Sequence, residues 1–108
     1  KTKAYDVGPA NQLRANSAKG DGLDIHHAPQ SHPASQVIDG FDSKTAPSIA
    51  LPAGEHRAIP TMRGEFNGSA RDLLAKDVRD LRANTNAPNS ALQNLVKQSK
   101  EQFPELNK

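Results

Sequence analysis

The chain has no cysteine and no tryptophan, a single tyrosine, a single methionine and three phenylalanines. Without cysteine it can form neither a disulfide nor a thiolate zinc site, and its composition carries no mark of a redox compartment. With aromatic residues at 4% and hydrophobic residues at 34%, any core must be built mainly from small aliphatic side chains. No apolar run approaches the ~18 residues that cross a membrane, and no stretch is laid out as a secretory signal. The 14 Lys and Arg residues are nowhere concentrated. Contact with a polyanion therefore depends on charges that the fold gathers, and a net charge of +2 permits such contact without requiring it. Also missing are a glycine-rich phosphate loop, a dinucleotide fingerprint, His-Glu-x-x-His and Gly-x-Ser-x-Gly, and with them the commonest nucleotide, zincin and serine-hydrolase chemistries.

What is present fits one modest domain of 108 residues, rich in turns, with eight Pro and seven Gly. So thin a core gains from a bound ligand, metal or partner. A start at Lys1 rather than Met gives the expectation of a segment cut from a longer polypeptide. Residues 1–20 read as a polar lead-in, with a short helix over 10–18 around Leu13. Gly20-Asp21-Gly22 reads as a turn into a strand, Leu23–His27, which Pro29 ends. Residues 28–47 read as loop with a small apolar patch at Val37-Ile38, and Ser48–Leu51 as a second strand stopped by Pro52. One or two helical turns over 53–59 end at Pro60. Ser69 and Asp72 have capping-box spacing and open a helix with Leu74, Val78 and Leu81 on one stripe. Asn84–Asn89 break it. Ser90 with Gln93 caps a last helix, whose Leu92, Leu95, Val96, Ser99 and Phe103 share a face until Pro104. The class is α+β: a two-stranded hairpin and short helix over 21–67, long loops, and two helices over 68–108.

The chemistry centres on the doublet His26-His27. Successive side chains on a strand point to opposite faces. Asp24 and His26 therefore share one face, while Leu23, Ile25 and His27 share the other. One imidazole can ligate a cation while its neighbour exchanges protons near neutral pH. Alternation alone leaves the two roles exchangeable. His56, just after the second strand, returns across the hairpin as a second ligand, with Asp24 and Glu55 as further candidate donors. Two imidazoles plus waters suit a divalent ion that grips phosphate and keeps positions open. Arg57 and Arg63 are the candidate phosphate clamps. His32 reads as a solvated loop residue. Arg71, Lys76, Asp77, Arg79, Asp80 and Arg82 read as a solvated helix face laced with short-range pairs.

Asp24-Ile25-His26-His27-Ala28-Pro29-Gln30, then Ser48-Ile49-Ala50-Leu51-Pro52 and Glu55-His56, resembles the HNH/endonuclease VII (His-Me finger) group of bacterial toxin nucleases. Asp77–Arg82 with Thr85–Gln93 resembles the C-terminal toxin domains of Rhs and contact-dependent inhibition proteins. The resemblance implies a ββα-metal core in which His26 and His56 hold a divalent ion (Mg²⁺, Mn²⁺ or Zn²⁺) and His27 is the general base. Many members carry a further ligand where this chain has Pro60, so Asp24, Glu55, Glu65, Asn67 or water would complete the set. It also implies an endonuclease, with DNA ahead of RNA as substrate, carried on a larger secreted polypeptide into the cytoplasm of a target cell and restrained by an immunity protein. Two other readings remain: a metal-independent ribonuclease using His27 and His56, and a non-enzymatic module binding a partner through the C-terminal helices.

Overall fold

The computed structural model describes residues 1–107 as an α+β fold around a three-stranded antiparallel sheet. In chain order the elements are β1 (Val7–Pro9), α1 (Ala10–Ala15), β2 (Leu23–His27), α2 (Ser31–Val37), β3 (Pro47–Pro52), α3 (Ala53–Ala58), α4 (Ala70–Asn84) and α5 (Asn89–Gln102). A 3-10 turn over Pro104–Asn107 follows.

The sheet order is β1-β3-β2, so the second predicted strand is the central one. In β3, Pro47 through Leu51 are all buried, and the two prolines at its ends limit the ladder. The register pairs Asp24 with Leu51, Ile25 with Ala50, His26 with Ile49 and His27 with Ser48. Asp24 and His26 thus share a sheet face with Ile49 and Leu51, which pack with Leu81, Leu92 and Leu95 of α4 and α5. Leu23, Ile25 and His27 share the opposite face with Ser48 and Ala50. The small side chains on that face leave room for α1, whose Ala10 and Leu13 are buried. A second cluster joins Ala34 and Ile38 to Leu73, Leu74, Phe103 and Leu106. Phe103 is the one buried residue among the Phe and Tyr side chains described.

The structure corrects several sequence expectations. The sheet has a third strand, β1, whose pairing is reinforced where Tyr5 and Asp6 exchange backbone hydrogen bonds with Ala50. Two apolar positions in a three-residue strand are too few for periodicity to register. The long loop expected over 28–47 contains α2, which Pro33 enters in its first turn, where the missing N–H costs nothing. Strands β2 and β3 are therefore joined by a helical connection rather than a tight turn. α1 ends at Ala15, three residues earlier than predicted. The Ser69/Asp72 capping box is formed in both directions. The Ser90/Gln93 cap is not: α5 starts at Asn89 after Pro88, with no side-chain cap. Asp77 is also misplaced by a solvated-face reading, because it is 1% exposed on the core side of α4.

Candidate active site

The fold brings all four histidines of the chain to one cleft of about 280 Å³. His26 and His27 come from β2, His56 from α3 and His32 from the start of α2. Pro60, Thr61 and Met62 close the far wall. A wider recess of about 740 Å³ lies between the N-terminal segment and α5, but no histidine lines it and Asp6 is its one carboxylate. The candidate site is therefore the histidine cleft.

His26 is 5% exposed, and its Nε2 is buried without a hydrogen-bond partner. Loss of solvation, with smaller contributions from His56 and His27, pushes its pKa down to about 4, so the ring is neutral at pH 7. Its centroid lies 5.2 Å from that of His56 in an edge-to-face arrangement. The Oδ2 of Asp24 lies 2.8 Å from the Nδ1 of His56. A carboxylate can only accept from that nitrogen, so Nδ1 carries the proton and Nε2 keeps its lone pair. Metal-bound histidines usually have this arrangement, with the far nitrogen donating to a carboxylate that fixes ring and tautomer. Asp24 thus orients His56 through Oδ2.

On the other side of β2, the Nε2 of His27 lies 2.8 Å from the carbonyl oxygen of Ser43. A carbonyl only accepts, so Nε2 is the protonated nitrogen and Nδ1 is left as the free base. Partial burial lowers the pKa of His27, and the Arg14 charge adds to the effect against the Ser43 hydrogen bond, which favours the charged form. The doublet is therefore divided into an unpartnered, neutral, buried imidazole and a half-buried imidazole with a fixed tautomer.

The other candidates are scattered. Glu55 does not join the cluster: its carboxylate accepts from the Tyr5 hydroxyl at 2.9 and 3.0 Å and from the Asn86 backbone N–H at 3.2 Å. It ties α3 to the N-terminal segment and to the α4–α5 connection. Arg57 and Arg63 are exposed and do not line the cleft, nor do Glu65 and Asn67. Among the described residues no group of three or more His, Asp or Glu side chains is gathered as a ready metal cage. What the structure does gather is an imidazole pair, with one orphaned nitrogen and one nitrogen freed by a carboxylate.

Three cleft residues escaped the sequence reading. Arg14, from the opposite sheet face, reaches the cleft. His32 is exposed, in keeping with its reading as a solvated residue, yet it lines the cleft and bonds the Gly64 carbonyl through Nε2 at 3.1 Å. Gln30 holds the wall together: its side-chain amide donates to the Pro60 carbonyl at 2.9 Å and accepts from Met62 N–H at 2.9 Å. Its own backbone N–H donates to the buried Oδ2 of Asp77 at 2.7 Å. The run after the doublet, Ala28-Pro29-Gln30, was the only available signal for Gln30, and no local rule assigns it a partner 30 residues away. Comparison of the chain with protein-family models, with curated proteins and with solved structures found no match.

Proposed function

We propose that this domain is a metal-dependent nuclease that hydrolyses phosphodiester bonds, with His27 as the general base. The observation that carries this reading is the fixed tautomer of His27. Its Nε2–H is held by the Ser43 carbonyl, its Nδ1 is a free lone pair, and its neighbour on the strand presents an unpartnered nitrogen beside a second imidazole. His26 and His56 would hold a divalent ion, both as neutral ligands, with water and phosphate oxygens completing the shell. When bound, such an ion polarises the phosphoryl group and stabilises charge on the leaving oxygen. The protein's own groups do the rest. Nδ1 of His27 takes a proton from water as that water attacks phosphorus, and the Ser43 carbonyl stabilises the imidazolium that forms. Asp24 keeps His56 in one orientation and tautomer, and Gln30 holds the Pro60–Met62 wall in place.

The resemblance of the doublet and of the C-terminal stretch to toxin nucleases supports a biological setting. The domain would be an antibacterial effector, borne on a larger secreted carrier, active in the target-cell cytoplasm and neutralised by a cognate immunity protein. DNA stands ahead of RNA as substrate on that resemblance alone. The Asp24–His56 pair, a carboxylate-supported imidazole facing the same cleft as His27, favours a second reading: a metal-independent ribonuclease with the two histidines as base and acid.

The test is incubation of the domain with supercoiled plasmid and with total RNA, each with Mg²⁺, Mn²⁺, Zn²⁺ or EDTA. Metal-dependent cleavage that His27→Ala abolishes supports the proposal. RNA cleavage persisting in excess EDTA replaces it with the second reading, and no cleavage under any condition leaves a binding module.

A further inference from the structure

The histidine cleft does not stop at His56. A second cavity of about 460 Å³ continues from it and shares Arg14, Ile25 and His56 with it. Beyond those shared residues it runs past Asp24 and Leu23 to the Gly20-Asp21-Gly22 turn. Both cavities lie along β2, which is an edge strand, so nothing in the sheet covers this side. Arg14 forms one wall from the α1 face and His56 the other from the α3 face. Arg14 is the only Lys or Arg lining either cavity, and it takes part in none of the ion pairs among the described residues.

The two halves differ in charge. The histidine half has no carboxylate in its lining, whereas Asp21 and Asp24 line the other. The Oδ1 of Asp21 accepts from Leu23 N–H at 3.0 Å, and its Oδ2 is buried without a partner. The carboxylate open to this cavity is that of Asp24, half exposed, which repels a phosphate and suits an N–H or O–H donor from a sugar or base edge. The sign of the trough therefore changes at Arg14.

We propose that the two cavities form one trough for a phosphodiester strand, in which Arg14 holds the phosphate adjoining the one that is cut. The strand runs along the β2 edge, with its phosphates on the histidine side and a nucleoside on the Asp21 side. This inference rests on the nuclease reading and replaces Arg57 and Arg63 with Arg14 as the phosphate contact.

Binding is measured with the His27→Ala variant in Mg²⁺, using a short single-stranded DNA, the RNA of the same sequence and the DNA duplex, over 50–200 mM salt. Adding Arg14→Ala should weaken binding about tenfold and make the log K against log salt plot less steep by about 0.7 to 0.9, one phosphate contact. Arg14→Lys should keep most of the affinity, and Arg57→Ala and Arg63→Ala should change neither quantity. With His27 intact, and at an alkaline pH where the Arg14 charge no longer affects how much of His27 is unprotonated, Arg14→Ala should raise KM about tenfold and leave kcat within about twofold, because the contact is to a flanking phosphate. The side chain of Arg14 is exposed on α1, so the variant keeps the fold. Unchanged affinity and salt slope in Arg14→Ala, or their loss in Arg57→Ala or Arg63→Ala, overturns the proposal. So does a collapse of kcat at constant KM. If the wild type cuts no nucleic acid, the nuclease reading fails first and the trough with it. The DNA and RNA probes identify which strand the trough accepts.

Discussion

Replacing Asp77 with Asn should make stability rise much more steeply with pH. Asp77 is 1% exposed, and its Oδ1 has no partner. Burial, helped by Asp80 and opposed by Gln30 N–H and Lys76, raises its pKa from 3.8 to about 7. In the folded state this carboxyl is therefore neutral over a range where the unfolded chain ionises it. Its contribution to stability is complete below pH 3.8 and is lost as pH rises towards 7, by about 4 kcal/mol at 1.36 kcal/mol per unit. His26 behaves oppositely. Its pKa is lowered from 6.5 to about 4, so its contribution is complete above pH 6.5 and is lost as pH falls towards 4, by about 3 kcal/mol. Between about pH 4 and 6.5 the native state holds one extra proton at Asp77 and lacks one at His26, so these two slopes oppose each other, and the lowered pKa of His27 adds a further rise with pH. Asp77→Asn keeps the acceptor for Gln30 N–H and removes the titration, leaving the rise due to His26 and His27 unopposed. The assay is urea unfolding in EDTA at pH 4, 5, 6 and 7, followed by circular dichroism. Relative to wild type, the variant should gain about 4 kcal/mol between pH 4 and 7, a shift of about 1–4 M in midpoint at an m-value of 1–3 kcal/mol/M. His26→Gln should show the reverse, losing stability as pH rises. Parallel profiles for wild type and Asp77→Asn would refute the claim that Asp77 is buried and neutral.

Three further outcomes follow from the same contacts. Asp24→Asn should weaken divalent-metal binding about 10- to 100-fold in a calorimetric titration while leaving Tm within a few degrees, because it disturbs the orientation and tautomer of His56 without removing a ligand. Gln30→Ala leaves the Pro60 carbonyl and Met62 N–H unpaired and should cost about 1–3 kcal/mol in chemical denaturation, with faster hydrogen exchange at Met62. Because burial lowers the pKa of His27 and the base must be unprotonated, the acid limb of kcat/KM should fall below the usual imidazole value of 6.5. A midpoint at or above that value would mean that His27 is not the titrating base.

The parts of the fold legible in the sequence are those governed by local rules. Strand alternation placed Asp24 and His26 on the face opposite His27, and the register with β3 bears this out. The Ser69–Asp72 spacing located the start of α4 correctly. The short return after Pro52 put His56 next to His26, since α3 begins directly at the end of the central strand. What was not legible depends on tertiary partners. Asp77 sits among charges at helical spacing, and only the docking of Gln30 against α4 makes it a buried acceptor. Glu55 adjoins His56 in sequence, but one step around a helix turns its carboxylate to Tyr5 and Asn86. Arg14 enters the cleft from a helix on the other sheet face, which no spacing rule could link to the doublet.

Gln30 explains how a cleft can be kept in register on so small a core. Its backbone is fixed by a buried carboxyl on α4, and its side chain grips both a donor and an acceptor of the Pro60–Met62 segment. Ser99 of α5 adds a hydrogen bond to the Ala28 carbonyl at 2.9 Å, two residues earlier. The strand that carries the histidine doublet is thus anchored at its C-terminal end by both long helices, while α3 is held at Glu55 by Tyr5 and Asn86. Each anchor is a polar contact between segments far apart in sequence, in a chain whose apolar residues are too few to position a catalytic group by packing alone. A general base of the kind proposed for His27 must be held to within about half an ångström of its productive position. On that argument, substitutions at Gln30 and Ser99 should depress kcat by more than the accompanying loss of stability explains, whereas truncating a core leucine such as Leu95, 0% exposed, should lower Tm and leave the kcat of the folded fraction nearly unchanged. Equal kcat for Ser99→Ala and wild type, measured well below both melting temperatures, would show that packing suffices and that the polar anchors serve stability only.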